Sequence, residues 1–288
     1  MKLFSRKIKK DLKVTVIGLG QIGFPVAKHI SKYYPTVGHD VSQEAVAQAL
    51  SKGVKATAVF SASDVYIIAV NTWFRNGSPD MSAIDNCCQK IASMNHDALV
   101  CFESTLAMGT ARHLAIKHDL KKVAVCPHRW WKEDQIKHGV AQTRVLGAID
   151  LDCLKQAVSF YESLDIPIHQ VSSLEIAETV KIVENSHRFI QIAFAEELRQ
   201  MAEANKLSFD ELRQACNTKW NCEILEARDG IGRECLPKDI RYLLELHQEA
   251  SLVLGAIKAD ENYVQVLKAK TIALPYRSSV IQTEDKKT

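Results

Sequence analysis

The chain has 288 residues, 25% of them charged, with a formal net charge of +3 and eight cysteines. That length allows two domains with sizeable cores, and the near-balance of charge excludes the basic face of a nucleic-acid binder. With no apolar run of signal-peptide or membrane-span length and no Cys-x-x-Cys pair, the composition predicts a cytoplasmic protein with reduced thiols, no membrane partner and no zinc site. Residues 1–10 carry Lys2, Arg6, Lys7, Lys9 and Lys10 and read as a frayed, solvated start.

Val14-Thr15-Val16-Ile17 is a short apolar run that ends in Gly18-Leu19-Gly20-Gln21-Ile22-Gly23 and leads into helix-forming residues. Strand, glycine turn and helix in that order let a pyrophosphate approach the backbone at a helix N-terminus. A second strand, Thr36-Val37-Gly38-His39, ends in Asp40. A carboxylate about 20 residues past the glycines can bond both ribose hydroxyls and would repel a 2′-phosphate, so NAD is the expected cofactor.

The alternation continues. Residues 42–52 read as a helix, Val65 to Val70 as a strand buried on both faces, 82–93 as a helix and Ala98 to Phe102 as a strand. A helix over 110–118, a strand over 123–126 closed by Pro127-His128, and a last strand over 145–149 follow. Alternating elements imply a mostly parallel, Rossmann-type sheet with ligands at the carboxyl ends of its strands. The positions to watch are those just after each strand: Val70, Asn71 and Thr72, then Glu103, Ser104 and Thr105, then His128.

After Pro167 the period becomes helical. Ser172-Ser173-Leu174-Glu175 has the Ser-x-x-Glu form of a capping box and predicts a long helix to about Asn205. Ile176, Val180, Val183, Ile190, Phe194, Leu198 and Met201 should form one apolar stripe. Lys181 and Asn185 are four apart and share a face. Ser208-Phe209-Asp210-Glu211 opens another helix, and 239–250 and 259–269 look helical, with a polar, disordered tail over 276–288. The division expected is a Rossmann domain over 1–170 and an all-helical central domain over 171–275. Within the central domain, between the helix opened by Ser208 and the one over 239–250, lies Gly230-Ile231-Gly232-Arg233-Glu234-Cys235-Leu236-Pro237-Lys238-Asp239, a single cysteine after a glycine turn. Thiolate is the nucleophilic form, and nearby cations favour it.

Taken together these segments resemble the UDP-glucose/GDP-mannose dehydrogenase family. The motifs that carry the resemblance are Gly18 to Gly23, Val70-Asn71-Thr72, Gly77-Ser78-Pro79-Asp80, Glu103-Ser104-Thr105, Gly109-Thr110, Lys181 to Asn185, Ala215-Cys216-Asn217-Thr218 and Cys235 to Asp239. The resemblance implies NAD-dependent oxidation of a primary alcohol to a carboxylate through a cysteine thiohemiacetal and thioester, with a sugar or sugar-nucleotide substrate. It makes Cys235 the nucleophile, Lys181 and Asn185 the oxyanion stabilisers, Asp239 with Lys181 the group that orients water, and Thr105 the holder of that water. Gly18, Gly20, Gln21, Ile22, Gly23, Asp40, Val70, Thr72, Glu103 and Thr105 become the cofactor-binding set. It also implies a homodimer through the 172–205 helix.

Three departures from the family pattern stand out. Pro127-His128 replaces the family's Pro-Glu; either His128 acts as the base for thioester breakdown near neutral pH, or the second half-reaction is altered or lost. Arg233 and Glu234 replace small residues before the cysteine. The family's third domain, which completes its nucleotide-sugar site, is not found after the segment Ala259-Asp260-Glu261-Asn262, so the expected substrate is smaller or differently held, or part of the site is borrowed from a neighbouring subunit. Trp130 and Trp131 read equally as packing or as a stacking wall. Two other readings stay open at this point: a two-electron β-hydroxyacid or 6-phosphogluconate-type dehydrogenase, and an NAD-binding relic without catalysis.

Overall fold

The computed structural model describes residues 11–129, 134, 138–232 and 235–273. The basic start, the tryptophan pair Trp130 and Trp131, Arg233, Glu234 and the 276–288 tail lie outside the described residues. The chain forms two compact units, Met1–Ser186 with Lys238–Gln248, and His187–Pro237 with Glu249–Thr288.

The first unit alternates in chain order as β1 (Val14–Ile17), α1 (Gly23–Ile30), β2 (Thr36–His39), α2 (Gln43–Ser51), β3 (Ala56–Thr57) and β4 (Val65–Ile68). A hairpin of β5 (Trp73–Arg75) and β6 (Ser78–Asp80) intervenes before α3 (Ser82–Met94), β7 (Leu99–Phe102), α4 (Thr110–Lys117) and β8 (Lys122–Val125). Then come β9 (Arg144–Ala148), α5 (Leu151–Glu162) and β10 (Ile168–Gln170). Eight of these strands form one sheet in the order β10-β9-β8-β7-β4-β1-β2-β3. β1 pairs in parallel with both β2 and β4. The chain therefore runs one way from β1, then crosses back over it, which opens a ligand crevice at the carboxyl end of β1.

The residues of β1, β4, β7 and β9 are buried on both faces, as strands covered by helices require. Side chains alternate along β4: Val65 and Ile67 join a core with Val26, Ala27, Ile30, Ala157 and Phe160, while Tyr66 and Ile68 join one with Ile84, Ile91 and Leu114. Thus α1 and α5 cover one face, and α3 and α4 the other.

One strand departs from the parallel expectation. β8 and β9 pair antiparallel, Ala124 with Ala148 and Val125 with Gly147. Among the described residues no helix stands between β8 and β9, and an antiparallel pair needs no crossover helix. α5 then supplies one, and β10 pairs in parallel with β9. α5 starts at Asp150, whose carboxylate accepts the Cys153 N–H at 2.8 Å.

The long helix α6 spans Leu174–Ala204. Its cap is Ser173, not Ser172: the Ser173 hydroxyl accepts the Ile176 N–H at 3.2 Å, and Glu175 turns away to pair with Arg112 at 2.6 Å. The expected single stripe also divides. Leu174, Ala177, Ile182, Phe189, Ile192 and Ala195 are buried, whereas Ile176, Val183, Phe194 and Met201 are exposed. One apolar face of the helix is thus buried and the opposite one is exposed. The first part of α6 belongs to the Rossmann unit, because Leu174 and Ala177 enter its core.

The second unit holds the rest of α6, then α7 (Phe209–Cys216), the start of α8 (Cys235–Leu244) and α9 (Ser251–Ala273). The Ser208 hydroxyl caps α7 by accepting the Glu211 N–H, as its capping motif predicts. Among the described residues no helix is long and apolar enough to cross a membrane.

Candidate active site

The glycine loop after β1 has geometry that a dinucleotide needs. A Cβ on Gly23 would stand 1.7 Å from the Gly18 carbonyl oxygen, so α1 can begin this close to β1 only with glycine there. Around Gly20 the corresponding space is open, leaving room for a phosphate to reach the backbone. No side chain caps the start of α1. Phe24 already donates to the Gly20 carbonyl and Pro25 has no N–H, so the N–H groups an anion would meet are those of Gln21, Ile22 and Gly23.

Asp40 closes the other side. Its carboxylate accepts the Leu19 N–H at 2.7 Å and the Ser42 N–H at 2.9 Å, tying the end of β2 to the glycine loop. Each oxygen keeps a further lone pair for a ribose hydroxyl. Gly18, Gly20, Asp40, Phe60, Val70 and Lys90 line a cavity of about 580 Å³ here. These features fit a dinucleotide: a phosphate cradle, a carboxylate at the ribose position and an aromatic wall.

The turns after β4 and β7 are bonded to each other. Thr72 donates to the Thr105 carbonyl at 2.8 Å, and Ser104 donates to the Val70 carbonyl at 2.6 Å. Val70, Thr72 and Thr105 are thereby held together at the carboxyl edge of the sheet. Glu103 is different. It is buried, is absent from the cavity wall, and forms an ion pair with Arg144 at 2.7 Å while the Tyr161 hydroxyl donates to it at 3.0 Å.

His128 joins this buried cluster. Its Nε2 lies 3.0 Å from Arg144 Nη2. A guanidinium only donates, so that nitrogen carries the lone pair and the ring is neutral. Burial, then the charges of Arg144 and Lys181, hold its pKa well below the usual 6.5. The imidazole thus stays neutral near pH 7, and its Nε2 lone pair faces Arg144 instead of a reacting water. The expectation of a histidine base near neutral pH is corrected by that partner, a residue sixteen positions away that sequence reading did not single out.

A second polar group gathers where α6 meets the later part of α8 within the same unit. Asn185 donates to Asp239 at 2.5 Å, and Lys238 pairs with the other oxygen of the same buried carboxylate. Lys238 also lies over the Tyr242 ring at 4.3 Å, and the Tyr242 hydroxyl donates to the Trp73 carbonyl at 2.7 Å. Lys181, one turn before Asn185, is half-buried and near enough to His128 to act on its charge. Lys238 is another participant the sequence reading left unassigned; its adjacency to Asp239 was the available signal.

Cys235 is the first residue of α8 and belongs to the second unit. All eight cysteines are described, and Cys235 is the exposed one. Burial pushes Cys87 up to about 11 and Cys126 and Cys153 up to about 12, so these are inert packing thiols.

A doubly wound sheet with this cradle and acid defines a dinucleotide-dependent oxidoreductase. The chain belongs to the UDP-glucose/GDP-mannose dehydrogenase family, matching its NAD binding domain over residues 40–165 and its central domain over residues 175–263. NAD is accordingly its cofactor. The chain is similar to a UDP-N-acetyl-D-mannosamine dehydrogenase of Campylobacter jejuni, 28% identical over 90% of this chain and 74% of that protein. It is 28% identical to an NDP-N-acetyl-D-galactosaminuronic acid dehydrogenase of Ralstonia nicotianae, over 96% of this chain and 75% of the relative. The solved structure of a UDP-D-ManNAc dehydrogenase from Pyrococcus horikoshii superimposes with a TM-score of 0.79 at 27% identity, covering 91% of this chain and 71% of that one.

Proposed function

We propose that the protein oxidises the primary alcohol of a nucleotide sugar to a carboxylate in two successive steps, through a covalent intermediate on Cys235. The observation that carries this reading is the Asn185–Asp239 contact at 2.5 Å, which joins two of the expected catalytic residues from separate segments of the chain. The naming of relatives as UDP-N-acetyl-D-mannosamine dehydrogenases supports an N-acetylated sugar nucleotide as the substrate class.

Bound NAD supplies the hydride acceptor, taking two electrons and a hydrogen from carbon in each oxidation. The chain's own residues do the rest. After the alcohol has become an aldehyde, the Cys235 thiolate adds to the carbonyl carbon, forming a C–S bond and leaving negative charge on oxygen. Lys181 and the Asn185 amide stabilise that oxygen. Loss of the second hydride converts the thiohemiacetal to a thioester. Asp239 and Thr105 orient the water that attacks it; the C–S bond breaks, the carboxylate leaves and the thiolate returns. His128, neutral and bonded to Arg144, positions the Glu103–Arg144 pair instead of taking the proton.

The protein is further proposed to work as a cytoplasmic homodimer. Ile176, Val183, Phe194 and Met201 are exposed at spacings of about two and three helical turns, and a second copy of α6 is the partner that covers them. Light scattering should give twice the chain mass; a monomer with this face in water would refute the dimer.

The test of function is NADH formation from UDP-N-acetyl-D-mannosamine, UDP-glucose and simple 3-hydroxy acids. Turnover of a nucleotide sugar is expected, with Lys181→Ala lowering kcat by about 100-fold or more, the scale of losing an oxyanion donor. Turnover of a 3-hydroxy acid alone would overturn the proposal.

A further inference from the structure

The helical unit contains a buried carboxyl that the reaction does not use. Glu196, on α6, is 0% exposed; neither side-chain oxygen makes a well-formed hydrogen bond among the described residues, and the polar groups closest to it are the Gly230 backbone N–H and the Asp260 carboxyl. The carboxyl facing it is Asp260, on α9. One oxygen of Asp260 accepts the Ile231 N–H at 2.8 Å. Beside it, Gly230 sits at φ +90°, and a Cβ there would lie 2.7 Å from Val264 Cγ2, so the turn is pressed against α9. Ile231 precedes Cys235 by four residues. Four residues span at most about 14 Å, so fixing Ile231 confines the cysteine to a small volume.

Two ionised carboxylates side by side in a buried site repel strongly, and neither is satisfied by the other. The charged groups around Glu196 do not remove the problem. Arg228 lies before the turn and is the weakest of the influences on Glu196. Arg199, on α6 itself, is engaged by Glu203 at 3.2 Å and by the Tyr263 hydroxyl at 3.2 Å. Tyr263, on α9, and Asp229, next to the turn, add no positive charge.

We propose that Glu196 and Asp260 share one proton, Glu196 donating to the second Asp260 oxygen, and that this pair is a clasp positioning the turn ahead of Cys235. Burial, then the Asp260 charge, pushes Glu196 up to about 8. The sign follows. The shared proton is present at neutral pH and is lost as pH rises through about 8. The deprotonated pair then repels, and the Ile231 hydrogen bond opens. The consequence for Cys235 rests on its proposed role as nucleophile; the clasp itself does not.

The test is amide hydrogen exchange of the full chain, following the peptide that contains Ile231 from about pH 7 to about pH 9, with each rate divided by its intrinsic, base-catalysed value. Wild type should lose about tenfold protection across that range, one pKa unit's worth of population. Glu196→Gln carries an amide that donates permanently to Asp260, and Asp260→Asn one that donates to Glu196 while its oxygen still accepts from Ile231. Both variants should keep their protection at the higher pH, and if one fails to fold the other carries the test. Equal loss in wild type and variants, or no loss in wild type, would overturn the clasp. Either result leaves the Cys235 reading to be judged separately, by NADH stoichiometry.

Discussion

Removing the Arg144 guanidinium probes the buried cluster at the carboxyl edge of the sheet. In Arg144→Met the Glu103 carboxylate, whose side chain is 1% exposed, would lose the cation 2.7 Å away and keep the Tyr161 hydroxyl at 3.0 Å and the neutral His128 ring at 3.8 Å. An orphaned buried charge of this kind costs about 3–5 kcal/mol. At about 2–4 °C per kcal/mol for a domain this size, that is a Tm drop of about 6–20 °C. Adding Glu103→Gln removes the orphaned charge, so the double variant should be more stable than Arg144→Met alone, with a coupling energy of about 1.5 kcal/mol or more. Urea unfolding of the four proteins measures the cycle. Arg144 is also the second cause, after burial, of the lowered His128 pKa. Imidazole proton shifts should therefore show no titration of His128 near neutral pH in wild type, and a raised pKa in Arg144→Met. Additive single effects, within about 0.5 kcal/mol, or a wild-type His128 that titrates near its ordinary value, would refute the reasoning.

Three further outcomes are expected, at Glu178 and Gly23. Glu178 on α6 accepts the Gly109 and Ala111 N–H groups at 2.6 and 2.7 Å, serving as the cap that α4 lacks; Glu178→Ala should cost about 1–2 kcal/mol in urea unfolding. Burial pushes Glu178 up to about 7, so the native state holds an extra proton between its ordinary value of 4.5 and that pH. Stability should fall as pH rises through that window, and the slope should flatten in Glu178→Gln; an unchanged slope would contradict the assignment. Gly23→Ala should weaken NAD binding at least about tenfold by calorimetry, since its Cβ would collide with the Gly18 carbonyl at 1.7 Å. Unchanged affinity would mean that the loop is not the phosphate cradle.

The sheet and its glycine loop were legible because β1, β4 and β7 are largely apolar runs and the glycines after β1 allow the close approach of α1. The direction of β9 was not. Alternation predicts parallel pairing, but direction depends on whether the intervening chain forms a crossover helix. The β5–β6 hairpin carries an Asn76-Gly77 turn with φ of 52° and 76°, a local signal. Its three-residue strands are too short to show alternation, and so it went unread. Lys181, Asn185 and Asp239 were singled out through the family resemblance of their motifs. Arg144 was not, since a charged residue at the head of an apolar strand has meaning only once Glu103 is known to lie across the sheet. The division of α6 into buried alanines and exposed Val183 and Phe194 was likewise hidden, because helical periodicity counts apolar residues without saying which face is covered.

The central claim is that Cys235 carries the intermediate between two oxidations. NADH produced per nucleotide sugar consumed, compared between wild type and Cys235→Ser, tests it most directly. The account predicts two NADH per substrate in wild type, with the variant failing to complete the second oxidation. Wild-type stoichiometry of one NADH per substrate, or a Cys235→Ser enzyme that still yields two, would contradict it.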